Sequence, residues 1–187
     1  MDHYLDIALR PDPEVTQHQL MSALYLRLHR ALASLGSSNI GVSFPELDAA
    51  GHGLGARMRL HGQSHALAEL RSADWLAGVR DHVDVGGVLK VPVGAKQRGV
   101  RRVQAQSSPA RLRRRLMRRH NLDAVEAARR IPDSAARLLR LPFVEITSGS
   151  THQRFRLFIA HGPLCEHPIA GTFSSYGFSQ QGTVPWF

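Results

Sequence analysis

Residues 3–44 read HYLDIALRPDPEVTQHQLMSALYLRLHRALASLGSSNIGVSF, and the change of hydrophobic period inside this stretch decides the fold class. Leu5, Ile7 and Leu9 alternate with polar neighbours, the period-two signal of a strand over residues 3–10. From about residue 15 to 35 the apolar positions become Leu20, Leu24, Leu28, Ala31 and Leu35, a helical stripe that Gly36 stops. IGVSF (40–44) returns to strand character. The pattern then continues: ARMRLH (56–61) reads as a strand after the turn-rich PELDAAGHGLG, Ser64 is expected to cap a short helix ending near Leu70, Trp75 to Gly78 adds a turn, and VRDHVDVGG reads as a fourth strand. The order β-α-β-β-α-β is that of the split βαβ, ferredoxin-like motif. The fold class expected is therefore α+β.

Residues 86–99, GGVLKVPVGAKQRG, are rich in glycine and valine and read as a loop or linker. Two domains are expected: a ferredoxin-like domain, 1–94, and a C-terminal α+β domain, 95–187, carrying an arginine-rich helix. The second opens with an extended VRRVQAQ. The arginine helix follows, with Ser108 as N-cap and Pro109 at its first position. A helix over about 123–131 ends before Pro132, and another is capped by Asp133 and ends before Pro142. FVEIT, QRFRLFIAH, TFSSYGFS and VPWF read as β segments.

The chain has 187 residues and a formal net charge of +9, and the distribution of that charge is informative. The window from Val85 to Leu122 contains no acidic residue and holds 11 of the 24 lysines and arginines. The remainder carries 13 basic against 15 acidic residues. A slightly acidic body with one cationic segment is what a phosphate-backbone binding surface looks like. No run approaches the roughly 18–20 apolar residues of a membrane helix. The N-terminus lacks the charged-then-apolar order of a signal peptide, so a cytoplasmic protein without membrane contact is expected. The single Cys165 cannot form an internal disulfide, which fits a reducing compartment.

Residues 111–120, RLRRRLMRRH, place six arginines in ten positions. On a helix, Arg111, Arg114, Arg115, Arg118 and Arg119 fall within an arc of about 140° while Leu112, Leu116 and Met117 take the other side. Like charges at i,i+4 cost a few tenths of a kcal/mol each, roughly, without a counter-charge. A solvated face would normally interleave glutamates, and this one has none. Arginine's planar fork suits phosphate and the N7/O6 edge of guanine. Arg102 and Gln104 alternate on the extended segment just before, and arginine on guanine with glutamine on adenine are standard bidentate pairs.

Metal-free RNA cleavage needs a base for the 2′-hydroxyl and groups that align the phosphate. Histidine suits the first task, but the chain has 11 histidines and composition does not choose among them. Taken alone, His29 reads as a helix-surface histidine. HGPLCEH offers His161, Cys165 and His167, with a spacing that matches no zinc pattern. The absence of SxxK, GxGxxG and Walker motifs argues against acyl transfer and nucleotide-dependent chemistry.

MDHYLDIALRPDPE, GVSFPELD, RRVQAQSSPARLRRRLMRRHNL, RLPFVEITSGSTHQRFRLFIAHGPL and YGFSQQGTVPWF together resemble the type I-F (Ypest subtype) CRISPR-associated endoribonuclease that processes precursor CRISPR RNA. The resemblance spans nearly the whole chain and is weakest around 48–55, 84–99 and 165–172. It implies a ferredoxin-like domain followed by a domain whose arginine helix enters the major groove of the repeat hairpin. Arg111, Arg114, Arg115, Arg118, Arg119 and His120 would then contact RNA. It also implies base reading by Arg102 and Gln104, stacking by Phe155, and a phosphate or ribose contact by Ser150. For catalysis it implies His29 as base, Ser148 aligning ribose and phosphate, and Tyr176 orienting the imidazole, with neither metal nor other cofactor. The partners implied are the CRISPR-repeat hairpin and the other subunits of the type I-F surveillance complex, with a monomer outside it. The competing expectation is a non-catalytic RNA-hairpin-binding subunit. The loop GFSQQG keeps a glycine-rich loop only in degenerate form, and His152 lies between Ser148 and Phe155.

Overall fold

The computed structural model describes residues 1–47, 53–104, 109–133, 139–148 and 153–187. In chain order the elements are β1 (His3–Leu9), α1 (Gln17–Ser34), β2 (Gly41–Ser43), β3 (Arg57–Gly62), α2 (Ser64–Ser72), β4 (Val83–Val85), β5 (Leu89–Lys90), β6 (Lys96–Val103), α3 (Pro109–His120), α4 (Ala124–Arg130), β7 (Phe143–Thr147), β8 (Arg154–Cys165) and β9 (Val184–Trp186). The first sheet has the strand order β2-β3-β1-β4, with β5 also paired to β1. This is the split βαβ arrangement that the alternation of periods predicts. A second sheet runs β7-β8-β6-β9.

Local chemistry explains the long helix. Thr16 and Gln19 form a reciprocal capping box at its start, satisfying two donors that the first turn leaves open. Leu20, Leu24, Leu28 and Leu32 are buried along it, and they meet Leu5 and Ile7 of β1 and Met58 and Leu60 of β3 in one core. The other faces of β1 and β3 carry Asp6 and Arg59, which are directly opposite in register. Arg59 is 8% exposed, binds both Asp6 oxygens at 2.6 and 2.8 Å, and donates to the Phe187 carbonyl. The Tyr4 and Phe187 rings lie 4.8 and 4.0 Å from its guanidinium, so this buried cation is paired on every side.

The structure corrects several local expectations. Ser64 is the first helical residue of α2 and not its cap; Gln63 takes that place without a side-chain hydrogen bond. The fourth strand shrinks to Val83–Val85 behind a 3-10 turn, Arg80–His82. The expected linker 86–99 contains β5 and the start of β6. The segment TFSSYGFS is not a strand: one bridge, Phe173 to Ser179, closes a tight turn between them. The expected N-cap Ser108 and most of the helix after Asp133 lie outside the described residues.

The chain divides into two compact units, residues 1–102 with 141–187, and residues 103–140. This differs from a division at 94/95, because β6 begins in the expected linker and β7, β8 and β9 complete the second sheet inside the first unit. In the smaller unit, Asp123 caps α4 by accepting from the Glu126 amide at 2.7 Å, as the helix expected over 123–131 requires.

Candidate active site and nucleic-acid interface

The chemistry-bearing residues of the larger unit gather where α1 lies along β7. The Glu145 amide donates to the Ser22 hydroxyl at 3.0 Å, which fixes the strand against the helix. From Ser22 to His29 the helix rises about 10 Å, and from Glu145 to Ser148 a strand advances about 10 Å. His29 and Ser148 therefore arrive together, and both line a cleft of about 310 Å³ with Leu26, Arg30, Ile146, Thr147, Phe155 and Tyr176.

The imidazole of His29 is held twice. Its Nδ1 lies 2.9 Å from the Ser175 carbonyl oxygen. A carbonyl only accepts, so Nδ1 carries the hydrogen and Nε2 keeps the lone pair in the neutral ring. Its plane stacks on the Tyr176 ring, with centroids 3.8 Å apart and 6° between planes. One helical turn earlier the Tyr25 hydroxyl donates to the Tyr176 carbonyl at 2.6 Å. The Tyr25 ring stacks on Phe178 at 5.6 Å. Burial, with the Tyr176 phenol adding to it, pushes the Tyr25 hydroxyl well above the usual phenol range, so it remains a donor. Tyr25 and His29 thus clasp the same turn. That turn needs Gly177, whose φ is +69° and whose Cβ position would lie 2.4 Å from a Val42 methyl. Any side chain there would push the Ser175–Tyr176 tip off the helix.

Arg102 of β6 comes to the same neighbourhood, its guanidinium 5.4 Å from the Tyr176 ring and 5.7 Å from the Phe155 ring, within cation–π range. Gln104 follows the last residue of β6 and is exposed. Ser150 and His152 lie outside the described residues. Among the described residues lining the cleft there is no carboxylate; Glu145 on β7 pairs instead with Arg154 and Arg156, each at 3.3 Å.

In the smaller unit, α3 presents Arg111, Arg114, Arg115, Arg118, Arg119 and His120 as exposed residues, while Leu112, Leu116 and Met117 are half-buried. Arg113 stands apart: it donates to the Ile131 carbonyl at 2.7 Å and pairs with Asp133 at 2.9 Å. Five of the six arginines, not all of them, are therefore on the outward face. Arg115, Arg118 and Arg119 make no hydrogen bond or ion pair among the described residues, whereas Arg129 and Arg130 of α4 both pair with Glu126.

Residues 4–187 match the family model described as CRISPR-associated protein (Cas_Csy4). The chain belongs to this family. The CRISPR-associated endonuclease Cas6/Csy4 of Pseudomonas aeruginosa (strain UCBPP-PA14) is 54% identical over 187 residues, all of both chains. The protein of the same name from Escherichia coli (strain UTI89 / UPEC) is 43% identical, again over all of both chains. Within this Cas_Csy4 chain, sequence reasoning did not single out Tyr25, whose hydroxyl is hidden in an apolar helical stripe, or Arg30, which reads as a solvated helix residue.

Two further histidines have structural roles. Burial, with nearby Arg59, lowers His61 to a pKa of about 3, and its Nε2 lies 2.8 Å from the Ser43 hydroxyl. Burial and Arg98 lower His161 to about 4, between the Phe44 and Trp186 rings. Cys165 donates its thiol to the Gln97 carbonyl. Among the described residues, no group of three metal-ligating side chains converges. No helix among them is long and apolar enough to cross a membrane.

Proposed function

We propose that this endoribonuclease binds the stem-loop of a CRISPR repeat in precursor RNA, cuts at the 3′ base of the stem without a metal, and retains the mature guide RNA. The observation that carries the chemical half is the His29 imidazole, fixed by Ser175 and Tyr176 with Nε2 as its basic nitrogen, in a cleft beside Ser148. Nε2 takes the proton of the 2′-hydroxyl upstream of the scissile phosphate. The 2′-oxygen attacks phosphorus, the bond to the 5′-oxygen breaks, and that oxygen leaves as a hydroxyl after gaining a proton. The products are a 2′,3′-cyclic phosphate, or the 3′-phosphate it hydrolyses to, and a 5′-hydroxyl. Ser148 holds ribose and phosphate in line, and the Tyr176 ring keeps the imidazole from rotating.

Recognition falls to the arginine face of α3, where Arg111, Arg114, Arg115, Arg118, Arg119 and His120 grip the stem. A short stem suits this helix, because the deep A-form major groove opens only near a helix end. Arg102 and Gln104 read base edges near the foot of the stem, Phe155 stacks on RNA beside it, and Ser150 adds a phosphate or ribose contact. The protein stays on its product as a subunit of the type I-F surveillance complex and is monomeric outside it.

The test is cleavage of the repeat hairpin from the encoding locus, in EDTA, by the native chain and by His29→Ala. A single cut at the 3′ foot of the stem, absent in the variant while binding persists, supports the assignment. Binding by both with cleavage by neither would leave an RNA-hairpin-binding subunit.

A further inference from the structure

We propose that Arg30 grips the scissile phosphate and neutralises the charge that builds on it during cleavage; the inference rests on the nuclease reading above. Leu26, His29 and Arg30 stand at i, i+3 and i+4 on α1, so they share one helical face, and all three line the cleft with Ser148. Ser22, one turn earlier on the same face, is tied to the Glu145 amide of β7. That face is therefore turned toward the strand leading to Ser148.

Arg30 is exposed and makes no hydrogen bond or ion pair among the described residues. The preceding arginine of the helix, Arg27, is half-buried and lies against Gly78, where an added Cβ would come 2.7 Å from its Nη2. Arg102 is held beside the Phe155 and Tyr176 rings. Among the described residues that line the cleft, Arg30 is the one arginine or lysine, and none is a carboxylate that would compete for it.

The reaction gives such a group a task. A phosphodiester carries one negative charge, and attack by the 2′-oxygen raises the charge on its non-bridging oxygens toward two. A guanidinium can donate to both oxygens at once, and its attraction grows with the charge, which favours the transition state over the bound substrate. Serine at position 148 can align the phosphate but cannot supply a positive charge. Because Arg30 is the residue next to His29, one turn of α1 would deliver both the base and the counter-charge to one phosphate.

Single-turnover cleavage at saturating protein tests this with the native chain, Arg30→Gln, Arg30→Lys and His29→Ala. Each acts on hairpins bearing an ordinary phosphate or one of the two phosphorothioate diastereomers at the cut. Affinity is measured on a hairpin with 2′-deoxyribose at the attacking position. The expected result for Arg30→Gln is cleavage slowed about 100-fold, the scale of removing one donor to a developing oxyanion, with affinity changed less than about threefold, since the α3 contacts remain. Lysine should restore part of the rate. The native chain should also discriminate between the diastereomers more than the glutamine variant does. Native-rate cleavage by Arg30→Gln overturns the inference, as does a slow variant that lysine does not rescue and whose diastereomer preference is unchanged. If His29→Ala is inactive while Arg30→Gln is fully active, only this inference fails. If the native chain does not cut, the nuclease reading fails and this inference with it.

Discussion

The arginine face of α3 and the cleft on α1 are built in opposite ways. The first comes from one continuous segment, Pro109–His120, whose outward residues are set by helical periodicity. The second draws on residues 29, 148, 155 and 176, held by hydrogen bonds that span 123 to 151 positions of the chain. Affinity for a polyanion tolerates small displacements, because charge acts over about 8 to 10 Å at ordinary ionic strength. Proton transfer does not, since donor and acceptor must come within about 3 Å. A binding surface can therefore be local in sequence, while a reacting site needs the whole tertiary frame.

The contrast breaks most sharply if one region can be removed without disturbing the other. His29→Ala should slow cleavage by at least 100-fold, within the range of about 10²–10⁴ for a general base, and leave hairpin affinity unchanged in a gel-shift titration. Replacing Arg115 and Arg118 together by alanine should do the reverse. The slope of log affinity against log salt should fall by about 1.4–1.8, at roughly 0.7–0.9 per phosphate contact, while the cleavage rate at saturating protein stays near native. A large loss of that rate would mean that α3 also positions the phosphate.

Smaller effects sharpen the picture. Tyr25→Phe removes only the hydroxyl that donates to the Tyr176 carbonyl. The cost in stability should be about 1–3 kcal/mol, the range for leaving a buried partner unsatisfied, visible as a lower denaturation midpoint. Cleavage should slow by about tenfold, because the turn that holds His29 loses one of its two ties to α1. Acid gives the smallest effect near neutrality. His61 and His161 titrate at about 3 and about 4 in the folded chain but near 6.5 when unfolded. The unfolded state thus binds more protons below pH 6.5, and stability falls as pH drops from there toward the folded values. The loss from pH 7 to 6 is under about 1 kcal/mol per histidine, and it steepens to about 1.4 kcal/mol per pH unit lower down. His61→Gln should flatten that slope in urea titrations across pH.

Elements whose signal is local were legible. The strands at His3–Leu9 and Phe143–Thr147, and the helices α1 and α4, follow from apolar spacing and stop residues. The second half of strand β6 was read as extended in VRRVQAQ, but its first half, KQRG, was hidden because it has little β character of its own. It forms because β8 and β9 flank it on both edges, and pairing then overrides propensity. TFSSYGFS has the composition of a strand, yet Gly177 in the left-handed region bends it into the turn that carries Tyr176. In the site, the outward arginines of α3 were readable as a set. Helical periodicity already leaves Arg113 outside that set, while its partners, Asp133 and the Ile131 carbonyl, are visible only in the structure.

By itself the sequence determined the α+β class, the order of the first six elements, the cationic segment and, through long ordered motifs, the family. These depend on periodicity, composition and similarity, all of which are properties of neighbouring residues. Only the tertiary structure decided that the imidazole of His29 keeps its lone pair on Nε2, that Tyr25 secures the turn beneath it, and that Arg30 shares its cleft. Each of those is a distance between atoms far apart along the chain, and such distances exist only once the core of α1, β7 and the 173–179 turn has closed.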